Sequence, residues 1–284
     1  MSGYVERSRH APVTDFLGIS PNRMHRILND GVGGIDGFLG VGGEIWDGDA
    51  ASIPLMHATL ALLARLGESG PVKATAKGNL PRAFVLDWWD ESFGPREENE
   101  RTRMIMRPNK EDGDWTLHTT RRIIRKAGLI KLQGGEFSVT DRWRKLLAKG
   151  DRLELYRALF FATGWDFDWN YGRDDARALH PFTQRSFAFN LYLLGRIARS
   201  WITQEEAVQS YLRAFPEIRK DFISSDAAIL AIVMDGTLGY GLTHFPIELG
   251  LLEHRNTRQG NDRFGTDEYR ITPLFDRLLS FSLR

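Results

Sequence analysis

The stretch AGLIKLQGGEFSVTDRWRKLL, residues 127–147, decides the fold. Upstream of it, Leu117, Ile123, Ile124 and Ala127 recur at helical spacing, and Gly128 stands where a glycine ends a helix. Leu129–Leu132 and Glu136–Val139 are two strand-like runs joined at Gly134-Gly135, a pair suited to a tight hairpin turn. Thr140 is placed to cap the next helix, whose inner face is Trp143, Leu146 and Leu147. Such a cap contributes about 1 kcal/mol, and each buried leucine roughly 1.5–3 kcal/mol. Helix, hairpin, helix is the core order of a winged-helix module.

The same order recurs at residues 249–279: LGLLE, a polar insert, then EYRITPLFDRLL, with Thr272 as cap and Pro273 at the first helical position. LeuGly (66–67) followed by PVKATAKGNLPRAF (71–84) has the look of a fainter third version. The fold class expected is therefore α+β, mainly helical, with two winged-helix-like modules joined by a helical bridge. The expected divisions are a loosely structured segment 1–54, helices plus the first module over 55–150, the bridge over 151–224, and the second module over 225–284.

Other elements follow from local signals. Seven glycines between Gly31 and Gly43 suit loops. Helices are expected from Leu55 to Arg65, near 82–92, around Phe187, Leu191, Leu194 and Ala198, and over Ala227–Met234 after Ser225. Thr203-Gln204-Glu205-Glu206 fits a capping box, and Ala207, Val208, Tyr211, Leu212 and Phe215 continue its helix.

Composition narrows the function classes. The 42% hydrophobic and 26% charged residues are globular values. The absence of cysteine excludes disulfides, thiol nucleophiles and cysteine-ligated metal, and fits a reducing compartment. No apolar run resembles a signal-peptide core or a bilayer span, so a cytoplasmic location without a membrane partner is expected. The net charge of +1 hides an uneven distribution. Trp115–Arg157 holds 11 basic residues against 4 acidic; Val85–Asp114 holds 9 acidic against 5 basic.

The basic segment is the leading candidate site, for nucleic acid. His118, Thr119, Arg121, Arg122, Arg125 and Lys126 lie on the helix that a DNA-binding winged helix places in the major groove. Arginine and lysine there can contact phosphates and guanine edges. Lys131 and Gln133 would lie on the wing, and Arg142, Arg144, Lys145 and Lys149 would extend the surface. The second module has Glu248 and no arginine on its corresponding helix; only its wing, with Arg255, Arg258 and Arg263, is basic.

Two further readings stay open. In the first, the modules bind a protein partner, and the acidic Val85–Asp114 stretch, with Trp88 and Trp89, covers the basic helix. In the second, a metal-dependent hydrolase is centred on Asp166 and Asp168 in WDFDWNYGRDD (165–175). There, Asp166, Asp168 and Asn170 match the first ligands of a calcium loop, but glycine falls one position late and Arg177 stands where the loop needs glutamate. The chain has no GxGxxG, GK[ST], HExxH or GxSxG, and nothing calls for a cofactor or assigns a catalytic residue.

DFLGISPNRMHRILN (15–29) can be a turn and second helix of a helix-turn-helix, or a helix capped by Ser20 that packs on the body. This phrase, with TAKGNLPRAFV (75–85), resembles a broad set of uncharacterised bacterial proteins with DFLGLSP-type and T-x-x-G-N-L-P phrases. The latter phrase is also similar to part of some plasmid and insertion-element passenger proteins. The resemblance runs through Trp165–Asp168 and Gln184–Leu194 and departs at the glycine-rich 31–43. It implies a regulatory or defence-related role by analogy and transfers no catalytic residue.

Overall fold

The computed structural model describes residues 10–93, 107–173, 178–222, 226–257 and 265–283. The chain divides into two units: unit 1 takes Met1–Ile45 and Thr163–Arg284, and unit 2 takes Trp46–Ala162. Unit 2 is thus continuous in sequence, and unit 1 is not.

Unit 1 begins with α1 (Pro21–Asn29), where the Ser20 hydroxyl accepts from the Arg23 amide at 3.4 Å and Pro21 occupies the first helical position. Met24 and Ile27 face inward. The preceding Val13–Gly18 is a turn and not a helix, with Leu17 at a positive φ. Residues 15–29 are therefore a capped helix packed on its unit. α2 (Gly31–Gly34) and β1 (Leu39–Val41) follow.

The expectation of a loosely structured 1–54 is corrected over its described residues. Ile19, Ile35, Phe38 and Val41 are buried, and the glycines between them permit close approach. A Cβ at Gly43 would lie 2.2 Å from the Arg277 carbonyl oxygen. The spacing of glycine alone reads as loop; the apolar residues between the glycines decide otherwise.

Unit 2 runs α3 (Asp47–Ser52), α4 (Pro54–Ser69), β2 (Val72–Lys73), α5 (Arg82–Phe93), α6 (Trp115–Lys126), β3 (Ile130–Gln133), β4 (Glu136–Val139), α7 (Asp141–Lys149) and α8 (Arg152–Phe161). The hairpin pairs Ile130 with Val139 and Gln133 with Glu136 across Gly134 and Gly135, both at positive φ. Thr140 accepts from the Trp143 amide at 3.3 Å and donates to the Gly128 carbonyl at 2.8 Å, so one hydroxyl closes the base of the hairpin and caps α7. β2 adds to β4, pairing Val72 with Phe137, and the sheet order is β2-β4-β3. Residues 71–84 are thus not a third copy of the module but its third strand, a turn and the start of α5. Leu62, Leu63, Leu117, Ile124, Phe137 and Trp143 are among its buried side chains.

Unit 1 resumes with α9 (Pro181–Arg185), α10 (Phe187–Ile197), β5 (Ile202–Thr203), α11 (Gln204–Ala214), α12 (Ala227–Met234), a π-helical turn (Asp235–Gly239), α13 (Tyr240–Glu248), β6 (Leu252–Thr257), β7 (Thr266–Ile271), α14 (Pro273–Leu278) and β8 (Leu279–Phe281). The Thr203–Glu206 capping box forms in both directions. The sheet order is β5-β7-β6, and β8 pairs antiparallel with β1. The order α10–β5–α11–α13–β6–β7–α14 parallels α4–β2–α5–α6–β3–β4–α7, with α12 and the π-helical turn added before α13, and the strands take the same order. Of the residues expected as a 151–224 bridge, α8 lies in unit 2, and α10, β5 and α11 lie in unit 1, where β5 pairs with β7. The chain is mainly helical with small antiparallel sheets, and no described helix is long and apolar enough to cross a membrane.

Candidate nucleic-acid interface

α6 starts where the Asp114 carboxylate accepts from the Leu117 amide at 2.9 Å. Burial raises Asp114 above the ordinary carboxylate range, with the Leu117 amide opposing the rise. The helix is amphipathic in an unexpected sense, because much of its polar face is inside. His118, Thr119 and Arg121 are buried, Arg121 to 1% exposure.

His118 and Arg121 share one buried partner, Glu111, itself 0% exposed. Its Oε1 accepts from Arg121 Nε at 2.6 Å and from His118 Nδ1 at 2.7 Å; its Oε2 accepts from the Leu80 amide at 2.5 Å. The Arg121 guanidinium also lies over the Phe137 ring, 5.2 Å from its centroid, and reaches Asn79 Oδ1 at 3.4 Å. His118 and Arg121 are thereby withdrawn from the expected contact surface, and Thr119 is buried beside them. A buried cation is tolerated only with a partner this close.

The Thr75–Pro81 phrase supplies the other half of this cluster. Thr75 and Asn79 bond through their backbones at 2.8 Å, and Thr75 Oγ1 accepts from the Asn79 amide at 3.1 Å. Gly78 takes the positive φ that closes the turn. The turn presents the Asn79 side chain and Leu80 N–H to Arg121 and Glu111. Sequence reasoning missed Glu111 and Asn79. The only available signal was the phrase itself, which encodes a turn and not a ligand site.

The remaining candidates lie outward. Arg125, Lys126, Lys131 and Lys145 are exposed, as is Lys149, and none of the five has an ion-pair partner among the described residues. Arg122 is half-buried. Arg144 pairs with Asp141 at 2.7 Å, and Arg142 reaches Glu154 at 3.4 Å. Arg142 Nη1 also donates to the Ala127 carbonyl at 2.9 Å. That bond brings the Arg142–Lys145–Lys149 stripe of α7, spaced i, i+3, i+7, beside the end of α6 where Arg125 and Lys126 stand.

The acidic stretch does not cover this end through its other described side chains. Asp87 and Glu91 pair with Arg65, Asp90 pairs with Arg107, and Trp88 and Trp89 are buried. Residues 94–106 lie outside the described residues.

In the second module, Arg255 pairs with Glu268 at 2.6 Å and lies over Trp201; Arg258 and Arg263 fall outside the described residues. In 165–175, Trp169 stacks on Phe245 at 4.3 Å, and Asp168 Oδ1 accepts from the Asn170 amide at 2.9 Å. Asn170 is spent on both backbone groups of Leu179. Among the described residues, no three His, Cys, Asp or Glu side chains converge as for a metal.

No curated protein and no solved structure matches this chain. A family model does match part of it, over a span that contains the Thr75–Pro81 turn, Glu111, α6 and α7 and leaves out the DFLGISP phrase. Residues 51–152 are similar to the family described as the Y4jL N-terminal domain, which is uncharacterised.

Proposed function

We propose that unit 2 is a winged-helix module that binds nucleic acid along a basic rim, through phosphate contacts and not through insertion of its central helix. The rim consists of Arg125 and Lys126 at the end of α6 and Lys145 and Lys149 on α7, with Arg142 between them. One observation carries the reading: these four exposed cations lack carboxylate partners among the described residues, while Arg142 ties the two groups together. The element order and the β2-β4-β3 sheet support the winged-helix assignment. The buried N-terminal half of α6 argues against base readout, since a helix that enters a groove needs a free face.

Salt dependence tests it. If about four phosphates are neutralised, fluorescence anisotropy on a short labelled DNA duplex gives a log–log slope of roughly −3.6 between about 50 and 200 mM salt. Reversing charge at Arg125, Lys126 and Lys145 together (each →Glu) lowers affinity at least about tenfold and flattens the slope. Native affinity and slope in that variant, or no binding by the native chain at the lowest salt, overturns the proposal.

A further inference from the structure

Unit 1 contains a cleft of about 710 Å³, walled by α11, α12, the π-helical turn, α13 and the β6–β7 ribbon. Its size is in the range of small-molecule sites. The wide turn builds it. Thr237 Oγ1 donates to the Val233 carbonyl at 2.8 Å, and Gly239 has no side chain where Gln204 packs 2.6 Å from an ideal Cβ. Gln204 is held there by both ends: Nε2 donates to the Asp235 carbonyl at 3.3 Å, and Oε1 accepts from the Tyr269 hydroxyl at 2.9 Å. Turns of this kind recur at functional sites in helices.

The polar lining is unbalanced. Asp267 Oδ1 takes two donors, His254 Nε2 at 2.8 Å and Asn256 Nδ2 at 2.9 Å. Its Oδ2 has no hydrogen-bond partner among the described residues. Asp235 has no ion-pair partner there either. Burial raises the Asp235 carboxyl above its ordinary value; the Gln204 amide opposes the rise, and Glu205 and Asp267 add to it. Arg173 lines the cleft too, at the Tyr240 side: its Nε donates to the Trp169 carbonyl at 3.1 Å, and its guanidinium lies over the Tyr240 ring at 4.9 Å. The cleft also has an apolar wall. Ile232, 72% exposed, Val233 and Ile247 line it.

We propose that this cleft binds a small amphipathic organic cation, with its ammonium group between Asp235 and Asp267 and its apolar body against Ile232, Val233 and Ile247. An ammonium donates to the open Asp267 Oδ2 and gives Asp235 the ion-pair partner that no described residue supplies. A carboxylate-bearing ligand meets like charge in the same place. The site is independent of the basic rim of unit 2.

Calorimetric titration of the full chain tests it with three probes that share an indole body: tryptamine, the neutral alcohol tryptophol, and indole-3-propionate. Tryptamine binds at least about tenfold tighter than tryptophol, and indole-3-propionate binds weakest. Asp235→Asn and Asp267→Asn each reduce that preference to below about threefold. Asp267 is at the exposed rim, so its variant carries the test if Asp235→Asn does not melt cooperatively. Equal binding of tryptamine and tryptophol overturns the proposal. So does a native preference retained in both variants, or absence of tryptamine binding at about 10 mM.

Discussion

A carboxylate with no solvent exposure, Glu111, decides which cations of α6 face outward. It holds Arg121 and His118 inside, and Arg125 and Lys126, one turn further on, are left to solvent. Breaking a buried pair leaves an uncompensated charge, at a typical cost of about 3–5 kcal/mol. Glu111→Gln therefore lowers the unfolding free energy by about that amount in urea melts, while Arg125→Ala changes it by less than about 0.5 kcal/mol. A loss below about 1 kcal/mol for Glu111→Gln would show that the cluster is not a stability determinant. Counting charge along the chain finds the basic helix but not this pairing. Glu111 belongs to the acidic stretch, and Asn79 lies in a turn far upstream, so the link exists only once α6 packs on both. His244 is a second group set by its surroundings. Burial, with the Arg173 charge adding, lowers its pKa to about 4 from the usual 6.5. Between those values the unfolded chain takes up a proton that the folded chain refuses, so stability falls as pH drops from 6.5 toward 4. His244→Gln removes this contribution. Urea melts across that window show a shallower decline than the native chain; an unchanged slope counts against the assignment.

At the scale of elements, the sequence was legible wherever a periodic pattern and a punctuating residue coincide. α6, the β3–β4 hairpin and the caps Thr140, Thr203 and Thr272 all stand where their spacing puts them. β2 and β5 were not legible. Two residues carry no alternation, and Val72–Lys73 is a strand only because Phe137 and Glu136 are beside it. The π-helical turn was missed for a related reason: Gly236 after an apolar run reads as a helix end, yet the chain continues winding into α13. Pro246 likewise sits within α13. The cleft depends on that continuation, so its residues were scattered letters in the sequence: Gln204, Asp235, Tyr240 and Asp267 come from four elements.

At the scale of the molecule, two units repeat one topology with different surfaces. The hairpin and final helix of each module were visible as a repeat; the helices and strand that complete each were assigned to a bridge, because their own sequences do not resemble each other. The matched span 51–152 falls inside the continuous unit 2. A fragment of residues Trp46–Ala162 accordingly folds alone, with a single cooperative transition in denaturant. A gradual, non-cooperative loss of signal would refute its autonomy. The interrupted course of unit 1 has a consequence during synthesis. Unit 2 emerges whole from the ribosome and can close early, whereas Leu39–Val41 must wait for Leu279–Phe281, with all of unit 2 translated in between. Until then the nascent chain carries an unmatched strand edge, the kind of surface on which chaperones act.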